Sequence, residues 1–150
     1  MSVELREATG DDAAEILPLY GWLFAPPGYE PPLWDPAAAA ERLRETIAGP
    51  GSTVLLAEQE GIPVGFCSAY LDLNSVRYGR RCWVEDLAVD PDRRSEGIGK
   101  ALLDAAREWA SARGATHLEL DSGSARTDAH RFYERERPSW TGTQYSWWLA

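Results

Sequence analysis

Metal-ligand spacing is missing from this chain of 150 residues: Cys67 and Cys82 are its only cysteines, in no Cys-x-x-Cys arrangement, and only His117 and His130 accompany them. A zinc-type site draws three or four such ligands at short intervals, so no metal is expected. Each cysteine falls in an apolar, strand-like stretch and reads as a small buried hydrophobe. Long hydrophobic runs are also absent, and none approaches the roughly 20 residues that cross a bilayer. The start, Met1-Ser2-Val3-Glu4-Leu5-Arg6, has no signal-peptide pattern, so a cytoplasmic protein without a membrane partner is the expectation. Basic charge is scarce: 15 Lys and Arg stand against 24 Asp and Glu, a net charge of -9. Nucleic-acid binding needs clustered cations to meet phosphates, and this balance opposes it.

What is present is an ordinary soluble composition, 44% hydrophobic and 26% charged, in a length that suits one domain, residues 1–150. Val3 to Ala8 alternates as a strand, and Thr9 to Asp12 offers N-caps for a helix through Ile16, Leu17 and Tyr20. Pro26-Pro27-Gly28 and Pro31-Pro32 make a loop, and Asp35-Pro36 opens a second helix that Gly49-Pro50-Gly51 ends. Thr53 to Glu58 and Ile62 to Leu73 read as a hairpin, and Arg81 to Val89 as the next strand. From Ile98 the apolar residues Ala101, Leu102, Ala105, Ala106 and Trp109 recur at helical spacing. A strand over 116–120, a helix over 127–135 and a last strand from Gln144 to Leu149 complete the chain. This order predicts an α/β (α+β) fold, with a mixed, mostly antiparallel central sheet of about six to seven strands flanked by helices.

The most informative stretch runs from Val84 to Leu103. The apolar strand ending at Val89 stops at Asp90-Pro91, and a short basic loop leads through Gly97-Ile98-Gly99-Lys100 into a helix. Missing side chains allow close approach, first-turn N–H groups lack partners, and the helix dipole favours negative charge, a construction suited to phosphate. A dinucleotide fingerprint needs a third glycine where Leu102 stands, and a P-loop needs Ser or Thr where Ala101 stands. Both nucleotide motifs are therefore incomplete. Of the basic residues in and before this stretch, Arg93, Arg94 and Lys100 suit a polyanion, while Arg77, Arg80 and Arg81 read as a solvated charge run.

Arg94-x-x-Gly97-x-Gly99 after an apolar strand resembles the acetyl-CoA-binding motif of the GCN5-related N-acetyltransferase (GNAT) superfamily. Leu118-Glu119-Leu120-Asp121-Ser122-Gly123 followed by Ala129-His130-Arg131-Phe132-Tyr133-Glu134 resembles that family's second strand-helix block. The likeness extends over residues 53–149. It implies acetyl-CoA as cosubstrate, contacted by Leu87, Ala88 and Val89 at the strand end and by Arg94, Ser95, Glu96, Gly97, Ile98, Gly99 and Lys100 at the turn. It further implies that strands 81–89 and 116–120 splay apart to admit the pantetheine arm, and that the N–H near Val89 lies beside the thioester carbonyl. Tyr133 matches the tyrosine that often protonates the departing CoA thiolate. Its alternative is packing against Phe132.

An alkylamine with a pKa near about 10.4 is protonated at neutral pH, so acetyl transfer asks a carboxylate to take that proton, directly or through water. Glu85 and Asp86 are the candidates; neighbours on a strand face opposite ways, so only one is expected to look into the cleft. The family's glutamate falls on Glu85, whose alternative role is an ion pair with Arg80 or Arg81. Neither cysteine has an adjacent base, which favours direct transfer in a ternary complex over an acyl-enzyme. Two departures from the family stand out: Arg126 replaces a common asparagine, and Arg135-Glu136-Arg137-Pro138-Ser139-Trp140 replaces a Gly-Phe. The run Asp121 to Arg126 resembles a subgroup that includes aminoglycoside-type acetyltransferases.

Tyr20, Trp22, Phe24, Tyr29 and Trp34 cluster where the family builds its acceptor pocket. Aromatic walls can hold a cationic amine, or simply pin a loop to the core. The expected partner is a small-molecule amine, with a protein amino group less favoured. Trp147 and Trp148, adjacent on the last predicted strand, must face opposite sides, which leaves one for a second subunit of a homodimer. The alternative to an enzyme is an acyl-CoA-binding sensor that does not turn over.

Overall fold

Val54-Leu55-Leu56-Ala57 is apolar without interruption because both faces of the strand it forms are covered. In the computed structural model, which describes residues 2–149, this run is the centre of β2 (Ser52–Gln59). The chain divides into two bodies between Leu120 and Asp121. In the first, β1 (Glu4–Glu7), β2, β3 (Ile62–Ser75), β4 (Gly79–Val89) and β5 (His117–Leu120) lie side by side in chain order. The first four are antiparallel, and β5 joins β4 in parallel after the crossover helix α4 (Ile98–Ala112). The short helices α1 (Ala13–Ile16) and α2 (Gly21–Phe24) alternate with 3-10 turns, and α3 (Pro36–Ala48) comes after them. Pro18, which has no N–H to donate, lies in one of those tighter turns, so the predicted single helix is segmented. Asp35 caps α3 as its sequence promised: the Ala37 N–H donates to Asp35 Oδ1 at 3.1 Å.

Each face of the sheet carries its own core. On one, Ile98, Leu102, Ala106 and Trp109 of α4 meet Leu55, Cys67, Ala69, Cys82 and Val84. On the other, Ala13, Ile16 and Leu43 meet Val54, Leu56, Phe66 and Ala88. Both cysteines are fully buried, and burial pushes their thiols up, that of Cys82 to about 11. Gly65 sets the closeness of α4 to the sheet. A β-carbon there would lie 2.9 Å from Leu102 Cδ1 and 3.0 Å from both Ile98 Cγ2 and the Ala88 carbonyl oxygen.

Two irregularities mark β4. Ser68 pairs with Asp86 but Ala69 pairs with Val84, so Glu85 is an extra residue and the strand bulges. The pairing of β4 with β5 covers only Arg81 to Val84 against His117 to Leu120. β5 itself ends at Leu120, opposite Val84, so residues 85–89 have no strand on their outer side among the described residues.

The second body holds α5 (Thr127–Arg135), bounded as the sequence indicated. The predicted strand from Gln144 to Leu149 is not formed, and the sheet has five strands rather than six to seven. Alternation defines the faces of a strand but not the neighbour whose hydrogen bonds make it one. Tyr145, Trp147, Trp148 and Leu149 are all exposed, and no strand divides Trp147 and Trp148 between two sides.

Gly65→Val is expected to overpack the contact between α4 and the sheet and to lower stability by about 1–3 kcal/mol. Urea unfolding of the two proteins measures this.

Candidate active site

Asp90 begins the turn after β4: its N–H donates to the Val64 carbonyl at 2.9 Å, and its Oδ1 accepts from the Asp92 N–H at 2.9 Å. A single 3-10 turn over Pro91–Arg93 comes next. Ser95 and Gly97 then take left-handed conformations, with φ of 66° and 83°. Such turns aim successive main-chain amides outward into an anion-binding concavity. Gly97 is the N-cap of α4, and it brings no capping side chain to the first-turn amides. A β-carbon built on Gly97 would touch nothing within 4 Å, so the space in front of this helix end is open. Arg94, Ser95, Glu96, Gly97 and Lys100 are exposed and Gly99 is half-buried, while Ile98 is buried and anchors the turn to the core.

The basic residues do not all gather at the turn, and Arg81 is an ion-paired, half-buried residue rather than part of a solvated run. Arg81 donates to Asp72 at 2.8 Å and to Glu119 at 3.1 Å, and Arg77 lies over the Tyr78 ring. Arg81 lies near the start of β4 and Val89 ends it, about 26 Å apart at strand spacing, so Arg77, Arg80 and Arg81 belong to the far end of the sheet. Arg93 bonds Gln59 and approaches Glu96 at 3.6 Å, and Lys100 reaches Asp104 at 3.1 Å.

The bulge changes the reading of the paired carboxylates. Trp83 Nε1 donates to Glu85 Oε1 at 2.9 Å. Trp83 lies opposite Tyr70, whose hydroxyl meets that of Thr46 on α3 at 2.9 Å. Asp86 Oδ2 accepts from the Tyr20 hydroxyl at 2.7 Å and from the Ser68 hydroxyl at 3.0 Å. Glu85 and Asp86 therefore both turn toward the side of the sheet that carries α1 to α3; the extra residue cancels the alternation that would have parted them. Glu85 is exposed and makes no ion pair with Arg80 or Arg81. Burial raises the Asp86 carboxyl above the ordinary range and the charge of Glu85 adds to that, while the hydrogen bonds from Tyr20 and Ser68 pull the other way. The link from Tyr20 to Asp86 was invisible in the sequence, since 66 residues separate the partners.

The predicted aromatic cluster assembles in part. Tyr20 stacks on Trp34 with centroids 6.0 Å apart, Phe24 meets Trp34 edge-on at 4.8 Å, and Tyr20 packs on Phe66 at 4.9 Å. Trp22 lies against Phe66, whereas Tyr29 is exposed and stands outside the cluster. Beside these rings lies an open-sided cavity of about 320 Å³ whose lining side chains are Leu17, Pro18, Tyr20, Phe24, Trp34 and Pro36. In the second body, Tyr133 sits on α5 with its ring 5.1 Å from that of Phe132, and Arg126 is the N-cap residue of that helix. His117 packs against Tyr78 at the start of β5, away from any cluster of metal ligands among the described residues.

Residues 16–137 match the sequence profile of the acetyltransferase (GNAT) family. The chain belongs to that family. It is 31% identical to an aminoalkylphosphonate N-acetyltransferase of Salmonella typhimurium over 89% of this chain and 82% of that protein. An uncharacterized N-acetyltransferase of Bacillus subtilis, YhdJ, is 39% identical over 55% of this chain; the match spans 58% of its length. Among solved structures, an aminoglycoside acetyltransferase from a soil metagenomic sample in complex with sisomicin superposes with a TM-score of 0.79 at 19% identity, over 99% of this chain and 95% of that one. The five-stranded, mostly antiparallel sheet with flanking helices is thus a GNAT fold.

The raised carboxyl of this GNAT protein carries a pH signature. The folded state holds the Asp86 proton more tightly than the unfolded chain does, so this group favours folding below the ordinary aspartate value and that contribution is lost as pH rises through the raised one. Asp86→Asn keeps an oxygen for Tyr20 and Ser68 without the charge. Between about pH 4 and about pH 7 the Tm of the variant is expected to fall less than that of the parent protein.

Proposed function

We propose that this GNAT protein is an acetyl-CoA-dependent N-acetyltransferase that acts on a primary amine of a small molecule by direct transfer in a ternary complex. The observation that carries the reading is the left-handed Gly97 opening α4 with no capping side chain, just after a strand whose last residues, 85–89, have no strand on their outer side among the described residues. Bare amides at a helix start suit a diphosphate, and the outer edge of Leu87, Ala88 and Val89, which pair only with β3, suits an amide-bearing arm laid alongside it. Arg94, Ser95, Glu96, Ile98, Gly99 and Lys100 complete the cradle on either side of Gly97.

Acetyl-CoA, when bound, supplies an acetyl group activated as a thioester. Glu85, open to solvent at the bulge, takes the proton of the acceptor ammonium at a carboxylate oxygen, directly or through water. Asp86, held by Tyr20 and Ser68, fixes the bulge that presents Glu85. The N–H near Val89 stabilises negative charge that develops on a carbonyl oxygen. Tyr133 is the proton source for the leaving sulfur, by its place in the Phe132-Tyr133 motif. The name of the Salmonella relative, an enzyme for a small phosphonate-bearing amine, supports a small-molecule acceptor, and an amino sugar is one member of that class.

Calorimetry with CoA is expected to lose all signal in Gly97→Trp, since an indole there fills the space before the helix end. Tyr133→Phe and Glu85→Gln are each expected to lower kcat by about 100-fold or more and to leave CoA binding nearly unchanged. CoA binding without thiol release from acetyl-CoA on any amine would make the protein a sensor.

A further inference from the structure

We propose that the acceptor of this enzyme is an amine carried on a short arm by an apolar aromatic ring, and that Trp34 selects it. The inference rests on the acetyltransferase reading and narrows its acceptor.

The cavity between α2 and the start of α3 is walled by Leu17, Pro18, Phe24, Pro36 and the rings of Tyr20 and Trp34. Only two of these side chains have a polar atom: the Tyr20 hydroxyl and the Trp34 indole N–H. The hydroxyl already donates to Asp86 at 2.7 Å. A polyhydroxylated amino sugar settling here would find almost no hydrogen-bond partners on the wall and would gain little from it. An aromatic ring finds the reverse, because Tyr20 and Trp34 lie stacked 6.0 Å apart with Phe24 edge-on to Trp34, a set of faces and edges that a further ring extends. At about 320 Å³ the space suits a single ring with its arm.

Tyr20 also gives the direction. Its ring forms part of the cavity wall and its hydroxyl reaches the Asp86 carboxylate beside Glu85, so the phenol spans from the cavity to the bulge. A ring lying along Tyr20 carries its ammonium toward those two carboxylates. The cavity wall has no basic side chain to repel that cation.

The test is thiol release from acetyl-CoA by the full chain with three probes: 2-phenylethylamine, n-butylamine and kanamycin A. The expected kcat/KM is highest for 2-phenylethylamine, above kanamycin A by about 100-fold. In Trp34→Ala the preference for 2-phenylethylamine over n-butylamine is expected to shrink about tenfold, chiefly through KM, and Trp34→Phe to restore most of it. Kanamycin A turning over as well as 2-phenylethylamine, or a preference unchanged in Trp34→Ala, overturns the proposal and leaves the acetyltransferase reading standing. No release with any of the three, by protein shown to bind CoA, also overturns the proposal, whereas the acetyltransferase reading falls only if no amine of a wider panel releases thiol.

Discussion

One extra residue in β4 governs the site. A regular strand would send Glu85 and Asp86 to opposite faces, one toward α4 and one toward α1 to α3. Because Ala69 already pairs with Val84 while Ser68 pairs with Asp86, the strand must bulge at Glu85, and both carboxylates come to the same side. Asp86 anchors the distortion: its main-chain N–H donates to the Ser68 hydroxyl at 3.1 Å while its side chain accepts from that same hydroxyl and from Tyr20. A buried carboxylate held by two donors supports a local geometry that no hydrophobic side chain could specify.

The same strand sets the other half of the site. The pairing with β5 ends at Val84, where β5 itself ends, and the main chain continues to Val89 with no strand on that side among the described residues before Asp90 turns it toward α4. The position of the cradle is fixed from below. Ile98 and Leu102 reach down to the bare α-carbon of Gly65, so the first turns of α4 rest on β3 and β4. The amides of the turn and the carboxylates of the bulge are thus placed by one strand and its neighbour.

Much of this was legible in the sequence wherever the signal is local. Asp35-Pro36 named the start of α3, residues 127–135 named α5, and Gly97 named the left-handed turn that opens α4. Features that depend on two distant segments were not legible. The bulge is a property of register between residues 18 apart, and the hydrogen bond from Tyr20 to Asp86 joins elements that only folding brings together. Strict alternation at Glu85-Asp86 was the natural reading of the strand and gave the wrong faces. The final stretch failed for the opposite reason: its pattern is strand-like, yet no neighbour pairs with it among the described residues.

Burial of both cysteines has a practical side. Cys67 and Cys82 lie in the core on the α4 side of the sheet, where burial suppresses the thiolate that does sulfur chemistry. Maleimides, air oxidation and mixed disulfides therefore find no foothold on the native chain. Any sulfhydryl that a colour reagent detects in a working mixture comes from the small molecules in it.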